Sequence, residues 1–312
     1  MTTTLFSDLG GETWRIRRFP LEEDKRWSAF NPSIGYSPKE GYVVLFRSSN
    51  YFFDPKTGDT VATIGTRVKN RMFLANLDEN WQIIESTLRE IDFTECGIFL
   101  RGPEDGRLYW QNGAWHILSG MREPHISDDI PRIALYRLDG AKAIILKLHT
   151  EGELNPCEKN WMPFYKKPKD CDYVYSAVSV YKSGQGKIYK REKSELASEK
   201  IRGGSALWSL GDSNLAIIHE VDTREETKYS NRKFGMVTRT ERKYFHRFAK
   251  YTEDGTLTHL SDRFKFSDAD IEFAAGLVLS GEDVIVSYGY KDVAAYLGKI
   301  KLDAVIKMLK EV

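Results

Sequence analysis

The chain has 312 residues, and its 46 Lys and Arg against 45 Asp and Glu leave a formal net charge of +1. Hydrophobic residues make up 41% of the chain, too large a share for a disordered protein. No stretch of 18 consecutive apolar residues predicts a membrane span, and the near-neutral charge disfavours a dedicated DNA or membrane binder. The composition therefore predicts a globular chain with a sizeable core.

The beginning of the chain and the cysteines bear on location. The first residues, MTTTLFSDLGGETW, lack a basic segment followed by an apolar one, so we predict no secretory signal. Cys96, Cys157 and Cys171 are odd in number, and their spacing fits no metal template. We therefore expect three ordinary thiols, a reducing cytoplasmic location, and no metal or cofactor.

Alternation of apolar and polar residues with a period of two runs through most of the chain and predicts short strands. In chain order the clearest examples are residues 41–46, 106–110, 114–118, 132–137, 173–178, 205–209, 215–219 and 284–288. Turn signals such as Asn112-Gly113 and Asp254-Gly255 separate them. Many short strands with frequent turns indicate a β-sandwich, barrel or propeller.

The strands fall into about five groups, each of the size of one propeller blade with its loops. The groups cover about residues 30–85, 100–140, 155–190, 203–260 and 271–302. We predict an all-β chain, a five-bladed β-propeller in one domain over 1–312, with a large β-sandwich as the rival. Helical spacing predicts a short C-terminal helix over 303–310, and a short polar helix is predicted over 192–200.

Two segments are locally basic. Residues 182–202 hold seven Lys and Arg against three Glu, and residues 222–250 hold nine against four acidic residues. Each segment is either a solvated hairpin loop or a surface for an anionic substrate or acceptor.

Polar residues recur at strand ends about once per predicted blade. The clusters lie at residues 30–34 with 47–51, at 101–107, at 158–164, at 202–208 with 219–220, and at 271–276 with 287–292. If the innermost strands converge on one axis, these clusters meet in one pocket. That convergence is the basis of the functional hypothesis.

The order of these motifs resembles the family-130 glycoside phosphorylases and hydrolases, and the related family-108 mannosyltransferase/phosphorylases. The motifs are Glu104-Asp105-Gly106-Arg107, Glu158-Lys159-Asn160-Trp161, Gly203-Gly204-Ser205, a strand ending in His219, Tyr244-Phe-His-Arg247 and Tyr288-Gly289-Tyr-Lys-Asp292. The resemblance covers about residues 30–302. This chain has Gly106 where the family commonly has Pro, and Gly203-Gly204-Ser205 in place of Gly-Pro-Pro. The resemblance implies a five-bladed propeller whose axial site transfers a glycosyl unit, such as that of a mannoside, with inversion and with phosphate as nucleophile or leaving group.

The resemblance also implies roles for single residues. Asp105 matches the general acid, whose proton the phosphorylases relay through a sugar hydroxyl. Lys159 and His219 match phosphate ligands, Arg247 matches a neighbouring Arg, and Asp292 matches an acid that holds sugar hydroxyls. Independently of it, Glu104 beside Asp105 is a like charge, which is expected to raise one carboxyl pKa and to favour a protonated acid.

The full set of candidate residues has three parts. The catalytic candidates are Asp105 and Glu104; the sugar-binding candidates are Asn31, Arg47, Asn50, Tyr51, Arg107, Asn160, Trp161, Glu272 and Asp292; the phosphate-binding candidates are Lys159, Arg202, His219 and Arg247. In a variant of the scheme Glu272 assists, and water or an acceptor hydroxyl attacks.

Two other functions fit the same residues. The cations suit the diphosphate of a nucleotide sugar, which predicts a glycosyltransferase acting on an anionic acceptor such as a glycan or nucleic acid. A non-catalytic carbohydrate-binding propeller is the other alternative. Asp268-Ala-Asp270 is predicted to be a turn rather than a diphosphate-metal motif, and Gly203-Gly204 is too short for a nucleotide cradle.

Overall fold

The computed structural model describes residues 3–16, 26–53, 60–65, 67–97, 101–122, 131–149, 158–168, 172–176, 179–182, 186–189, 201–229 and 236–312. At 53, 60, 176, 186–189, 224–229 and 236–241 it describes the backbone alone. The first strands are β1 Glu12–Arg15, β2 Ser28–Ser37, β3 Gly41–Ser49, β4 Tyr51–Phe53, β5 Thr60–Ala62, β6 Asn70–Asn76, β7 Arg89–Glu90, β8 Glu104–Gln111, β9 Ala114–Met121, β10 Arg132–Asp139 and β11 Lys142–His149. The later strands are β12 Met162–Pro163, β13 Tyr173–Ser176, β14 Ser179–Lys182, β15 Gly186–Tyr189, β16 Ile201–Arg202, β17 Trp208–Ser209, β18 Ser213–Tyr229, β19 Met236–Thr252, β20 Leu257–Leu260, β21 Glu272–Ser280, β22 Asp283–Tyr290, β23 Ala294–Lys301 and β24 Lys310–Glu311.

The strands form five antiparallel sheets that follow one another along the chain. Their strand orders are β2-β3-β6-β7, β8-β9-β10-β11, β12-β13-β14-β15, β16-β18-β19-β20-β24 and β21-β22-β23-β1. We number these sheets blades 1 to 5. The predicted five-bladed propeller is therefore confirmed, and the rival β-sandwich is wrong. The small hairpin of β4 and β5 accompanies blade 1, and β17 adds to β18.

Helix is scarce, as predicted. The helix α1 spans Leu302–Met308, so the predicted C-terminal helix is confirmed. Single turns of 3-10 helix occur at Phe6–Leu9, Glu85–Thr87 and Thr94–Cys96. The helix predicted over 192–200 lies outside the described residues. No helix in the described ranges has the length and apolar character to cross a membrane.

The two ends of the ring join in blade 5. The first strand, β1, pairs antiparallel with β23, from Glu12 opposite Lys299 to Arg15 opposite Tyr296. The last blade therefore contains strands from both ends of the chain. The sequence did not predict β1, because its four residues, Glu-Thr-Trp-Arg, include one apolar side chain.

The core lies between neighbouring blades. One buried cluster joins blades 1 and 2 and includes Leu45, Leu74 and Ile117. Another joins blades 4 and 5 through Phe248 and Val284, among others. Because each sheet buries both faces against its neighbours, the inner strands are packed side by side, and their ends meet near one axis.

Blade 4 carries a long ribbon. Strands β18 and β19 have 17 residues each and pair from Ser213 opposite Thr252 to Tyr229 opposite Met236. The pairings of β16, β17 and β20 with them end at Glu220 and at Ala249. Within the described part of the chain, residues 221–229 and 236–244 thus form a two-stranded extension, and they lie in the second basic segment.

Candidate active site

Four residues with a left-handed backbone lie within or next to strands of four blades. Asn31, Asp105, Asn160 and Asp292 have φ of 47°, 46°, 63° and 54°. They come from blades 1, 2, 3 and 5. Residues other than glycine adopt this conformation at an energetic cost, and such residues are frequent at functional sites. All four residues belong to the polar clusters that were expected to converge.

Asp105 is held by two donors from blade 1. Its Oδ1 accepts hydrogen bonds from Asn31 Nδ2 at 2.9 Å and from Arg47 Nη1 at 2.9 Å. The side chain is 22% exposed, and within the described ranges Oδ2 accepts no hydrogen bond. Asp105 therefore presents one free carboxylate oxygen.

Asp105 is ionised, which differs from the sequence-based expectation. Burial opposes the charged form, but Arg47, the Asn31 hydrogen bond and Arg107 lower the pKa of Asp105 from 3.8 to about 2. The pKa of Glu104 is also lowered, because Arg47 and Lys159 outweigh its burial. The argument from like charges was wrong, since the cations nearby outweigh the repulsion between the two carboxylates.

Arg47 lies in the middle of the acidic groups. Its Nε also donates to Asn70 Oδ1 at 3.0 Å and to Ser49 Oγ at 3.2 Å. The side chain is buried, and its guanidinium lies 5.3 Å from the centre of the Phe30 ring. Burial disfavours the charge, but Asp105 and other neighbours raise the pKa of Arg47 above its ordinary value. A buried Arg with this carboxylate partner fixes both groups in place.

Glu104 binds two cations from different blades. Its Oε2 lies 3.4 Å from Lys159 Nζ, and its Oε1 lies 3.2 Å from Arg122 Nε. Lys159 is 37% exposed and Arg122 is 22% exposed. Both cations are therefore accessible to a small anion that competes with Glu104.

Arg107 links three blades beneath Asp105. Its Nε donates to the Gly204 carbonyl at 2.8 Å, its Nη1 to the Asp105 carbonyl at 2.7 Å, and its Nη2 to Asn160 Oδ1 at 2.9 Å. It is 2% exposed, and burial lowers its pKa to about 10. Arg107 is thus a buried brace rather than an open ligand.

The backbone of Gly204 and its neighbour explains the Gly-Gly turn. A Cβ on Gly203 would overlap the Asn160 carbonyl, and a Cβ on Gly204 would overlap the Ile217 carbonyl. Glycine is needed at both positions because the chain approaches other backbone closely.

Asp292 is the protonatable carboxyl of the site. Tyr51 donates a hydrogen bond from its hydroxyl to Asp292 Oδ2 at 2.7 Å. Burial raises the pKa of Asp292, and the charges of Asp105 and Glu104 add to the effect. The pKa values of two carboxyls in the site are therefore shifted in opposite directions: Asp105 is ionised, and Asp292 is the more readily protonated.

Replacing Tyr51 by Phe tests this network. Since the Tyr51 hydrogen bond lowers the pKa of Asp292, its loss should raise that pKa further. A carboxyl with a raised folded pKa loses stability as the pH rises from its unfolded pKa through its folded one. We expect the free energy of unfolding of Tyr51→Phe to fall by about 1 kcal/mol more than that of the wild type between about pH 4 and 7. Chemical denaturation across this range measures it, with the exposed Tyr36→Phe as control; equal slopes would contradict the assignment.

His219 lies on the blade 4 side of the site. It is 1% exposed, stacks on Tyr244 and meets Phe273 edge to face. Burial lowers its pKa well below 6.5, and the charges of His246, Arg107 and Arg202 lower it further. His219 Nδ1 is buried and has no hydrogen-bond partner in the described structure. His219 is therefore neutral, and it lies beneath the surface of the site.

Besides Arg107, four candidate residues make structural contacts, and Arg247 is the first of them. Arg247 lies opposite Ile218, whereas His219 lies opposite His246, so Arg247 is on the other face of the sheet. There it pairs with Glu220 and donates to the Ser261 carbonyl at 2.8 Å. The expected meeting of Lys159, His219 and Arg247 at one point is therefore wrong with respect to Arg247.

The other three support the structure around the site. Glu272 is fully buried and accepts from Phe266 N at 2.9 Å and from Ser267 Oγ at 2.5 Å, so it holds a loop. Asn50 donates to the carbonyls of residues 64 and 67. Trp161 is buried and donates to Glu158 Oε2 at 2.8 Å. Burial leaves Glu272 and Trp161 no open surface for a sugar.

Arg122 is the residue that the sequence analysis missed. It follows β9 directly and reaches Glu104 from within blade 2. The one signal was its position at the end of a strand, which surface arginines share.

The predicted roles of the remaining candidates stay predictions. No group of acidic, His or Cys side chains that would hold a metal ion occurs in the ranges that the structure describes.

Comparison with solved structures identifies the fold. A β-1,2-mannobiose phosphorylase from Listeria innocua matches with a TM-score of 0.60 and 12% identity, over 95% of this chain and 99% of that one. The chain has the fold of the GH130 mannoside phosphorylases. A second match is a structure from the GH130 family, which contains glycoside hydrolases that target β-1,2-mannosidic linkages in Candida mannan. Its TM-score is 0.59 at 13% identity, over 88% of this chain and 85% of that one.

The same GH130-like fold occurs in a transferase. MPT-1, a GDP-Man-dependent mannosyltransferase from Leishmania mexicana, matches with a TM-score of 0.54 and 12% identity, over 93% of this chain and 89% of that one. No protein-family model matches the sequence, and no curated protein matches it. The fold is thus shared with phosphorylases, glycoside hydrolases and a mannosyltransferase, and the activity of this chain has to be argued from its own site.

Proposed function

We propose that this protein transfers a glycosyl unit with inversion between a phosphate group and a hydroxyl acceptor. The observation that carries the proposal is the position of Asp105, an ionised carboxylate with a free oxygen, next to Glu104 and its two accessible cations. A proton-accepting carboxylate and two cations held beside it by the neighbouring Glu104 supply both requirements of such a transfer.

The reaction can be written for the synthetic direction. The acceptor oxygen attacks the anomeric carbon, and its proton passes to Asp105. The bond between that carbon and the phosphate oxygen breaks, and the phosphate leaves with the electron pair. In the reverse direction phosphate attacks, and the proton on Asp105 returns to the leaving oxygen. Attack opposite the leaving group inverts the anomeric configuration.

Asp105 is in the ionised form, which is the form that the synthetic direction needs. A carboxyl with a pKa of about 2 is a weak base at neutral pH, so a rise of its pKa in the substrate complex assists proton acceptance. For phosphorolysis it has to gain a proton first. A bound phosphate near Glu104 adds negative charge and raises the pKa of Asp105, which favours the protonated Asp105 that phosphorolysis needs.

Lys159, Arg122 and Arg202 are the proposed anion ligands. Lys159 and Arg122 pair with Glu104 at 3.4 and 3.2 Å and are partly exposed, so a doubly charged phosphate can compete with Glu104 for them. Arg202 is exposed and acts on His219 electrostatically. His219 is buried and neutral, so it adds no positive charge to the anion site.

Replacing Lys159 by Gln should weaken phosphate binding. We expect the KM for phosphate or sugar 1-phosphate to rise about tenfold, as loss of one charge-assisted contact predicts. The KM for the acceptor should stay near the wild-type value. Initial-rate kinetics measure both, with Lys166→Gln in the same blade as control, since Lys166 is 66% exposed and pairs with Glu253. An unchanged phosphate KM would remove Lys159 from the anion site.

A nucleotide-sugar glycosyltransferase is the second candidate. Its support is the similarity to MPT-1, together with the ribbon of blade 4, whose base includes the exposed Arg242 and Lys243 beside Tyr244. The same Asp105 would serve as base, and the cations would bind a diphosphate. An anionic glycan or nucleic acid is the proposed acceptor in this case, and its binding should weaken strongly with salt.

One substrate panel separates the candidates. The protein is incubated with hexose 1-phosphates or GDP-mannose and with mono- and oligosaccharide acceptors. Release of inorganic phosphate supports the phosphorylase proposal, and release of nucleoside diphosphate supports the transferase. Sugar binding by thermal shift without any turnover would overturn both and favour a carbohydrate-binding propeller.

A further inference from the structure

The innermost strand of blade 1 is interrupted where it reaches the site. In β2 the pairing with β3 passes from Phe30 opposite Arg47 to Ser33 opposite Leu45, so one extra residue forms a bulge. Asn31, with φ of 47°, is in this bulge. The bulge frees backbone groups of β2 from the ladder of their own blade, and these groups need partners elsewhere.

Blade 5 supplies those partners. Ser287, a fully buried residue of β22, donates from its hydroxyl to the Pro32 carbonyl at 2.7 Å and accepts from Ile34 N at 2.9 Å. Ser33 Oγ in turn donates to the Ala275 carbonyl at 3.0 Å. The conformation of the bulge is therefore held by the last blade, across the junction between blades 5 and 1.

Gly289, two residues further along β22, lies against Asn31 itself. A Cβ built on Gly289 would overlap Asn31 Oδ1 and would lie 2.8 Å from Asn31 N and 3.1 Å from its Cα. The lack of a side chain at 289 lets the Asn31 amide lie flat against β22.

The Asp105 carboxylate decides which way the amide points, and Gly289 leaves the space that this orientation needs. With Oδ1 against Gly289, Nδ2 is directed to Asp105 Oδ1 at 2.9 Å. The opposite orientation would place an amide oxygen against a carboxylate oxygen, which repel each other. A side chain at 289 would push the amide away from Asp105.

We propose that Ser287 and Gly289 are positioning residues, which act from the last blade through Asn31 to orient the Asp105 carboxylate. The kinetic consequence rests on the glycosyl transfer proposed above. The contacts themselves do not depend on it, so the proposal has a test that needs no substrate.

The kinetic test is Gly289→Ala. We expect kcat to fall about 100-fold with KM changed less than about twofold, because a displacement of the order of 1 Å at the reacting group has such an effect. The control is Gly298→Ala, which places a methyl in the same blade 3.0 Å from the Phe6 ring and away from Asn31. Gly298→Ala should keep wild-type kcat even if it lowers the melting temperature.

A double-mutant cycle separates positioning from general damage. Asn31→Gly removes the amide and still permits the positive φ. In the Asn31→Gly background, Gly289→Ala should change kcat by less than about tenfold, because the amide that it overlaps most closely is gone and only the contacts of 2.8 and 3.1 Å with the backbone of residue 31 remain. The same 100-fold loss in both backgrounds, or wild-type kcat in Gly289→Ala alone, would overturn the proposal.

The substrate-free test is the titration of the Asp105 carboxyl, followed by ¹³C NMR on the folded protein, with Asp105→Asn to assign the signal. Loss of the Asn31 hydrogen bond removes one of the interactions that lower the pKa of Asp105. Gly289→Ala, Ser287→Ala and Asn31→Gly should all shift the midpoint upward, and Gly298→Ala should not. If Gly289→Ala titrates as the wild type while Asn31→Gly is shifted, the positioning proposal fails. If the shifts occur but no variant or wild type transfers sugar, the proposed function fails alone.

Discussion

Asp105→Asn should abolish glycosyl transfer while sugar binding persists. The substitution keeps the shape of the side chain but removes the group that accepts and returns the proton, so we expect a loss of about 10³- to 10⁴-fold in kcat. The amide also leaves Arg47 without its ionised partner at 2.9 Å. We therefore expect a lower melting temperature, and turnover has to be measured below it.

The control for this variant is Asp139→Asn, an exposed carboxylate at the end of β10 in the same blade. Ligand binding to Asp105→Asn is measured by calorimetry with the substrate found in the panel. A variant with near-normal kcat would exclude Asp105 from proton transfer. A variant that has lost both turnover and sugar binding would show that Asp105 acts on binding, and would contradict the account in that way.

Arg47→Met should have the largest effect on stability. It removes the cation that holds Asp105 ionised in a buried position, and breaking a buried ion pair by deleting one partner costs about 3–5 kcal/mol. The pKa of Asp105 should rise, since burial then acts with less opposition. Asp105 also loses the Arg47 hydrogen bond that holds it in position, so turnover should fall as well.

The sign of the pH dependence is specific. A carboxyl whose pKa is lowered from 3.8 to about 2 contributes stability that is present above pH 3.8 and is lost as the pH falls toward 2. That lowering corresponds to about 2.5 kcal/mol. The difference in unfolding free energy between the wild type and Arg47→Met should therefore shrink as the pH falls from about 5 to about 2.5.

Urea unfolding at a series of pH values measures this difference. Arg47→Lys is the matched variant, because it keeps the charge but cannot reach Asp105, Asn70 and Ser49 at once. We expect it to recover part of the stability and little of the turnover. A stability difference that is independent of pH would show that Arg47 does not act through a titrating carboxylate.

The sequence predicted the propeller because strand periodicity and turn chemistry are local signals that repeat at the size of a blade. It missed β1, since a four-residue strand with one apolar residue leaves no periodic pattern. It also singled out Asn31, Asp105, Lys159 and Asp292 as members of clusters expected to meet; in the structure Asn31 donates to Asp105, and Lys159 pairs with the neighbouring Glu104. Their catalytic and binding roles stay predictions.

The sequence could not show on which face of its sheet a side chain lies, or which charges surround a given carboxyl group. Arg247 and His219 come from neighbouring strands, but their faces depend on the register between β18 and β19, which puts them on opposite sides. The state of Asp105 depended on Arg47, 58 residues away along the chain, and not on the adjacent Glu104. Strand register decided the faces of His219 and Arg247, and a long-range ion pair decided the charge of Asp105. Neither can be read from neighbouring residues in the sequence.

The most direct test follows one reaction by ³¹P and ¹H NMR. The protein is mixed with the hexose 1-phosphate that raises its melting temperature most and with a hydroxyl acceptor. The account predicts that inorganic phosphate and a single new glycoside of inverted anomeric configuration appear in equal amounts, and that both vanish in Asp105→Asn. A product that retains the configuration, or equal product formation by Asp105→Asn, would contradict it.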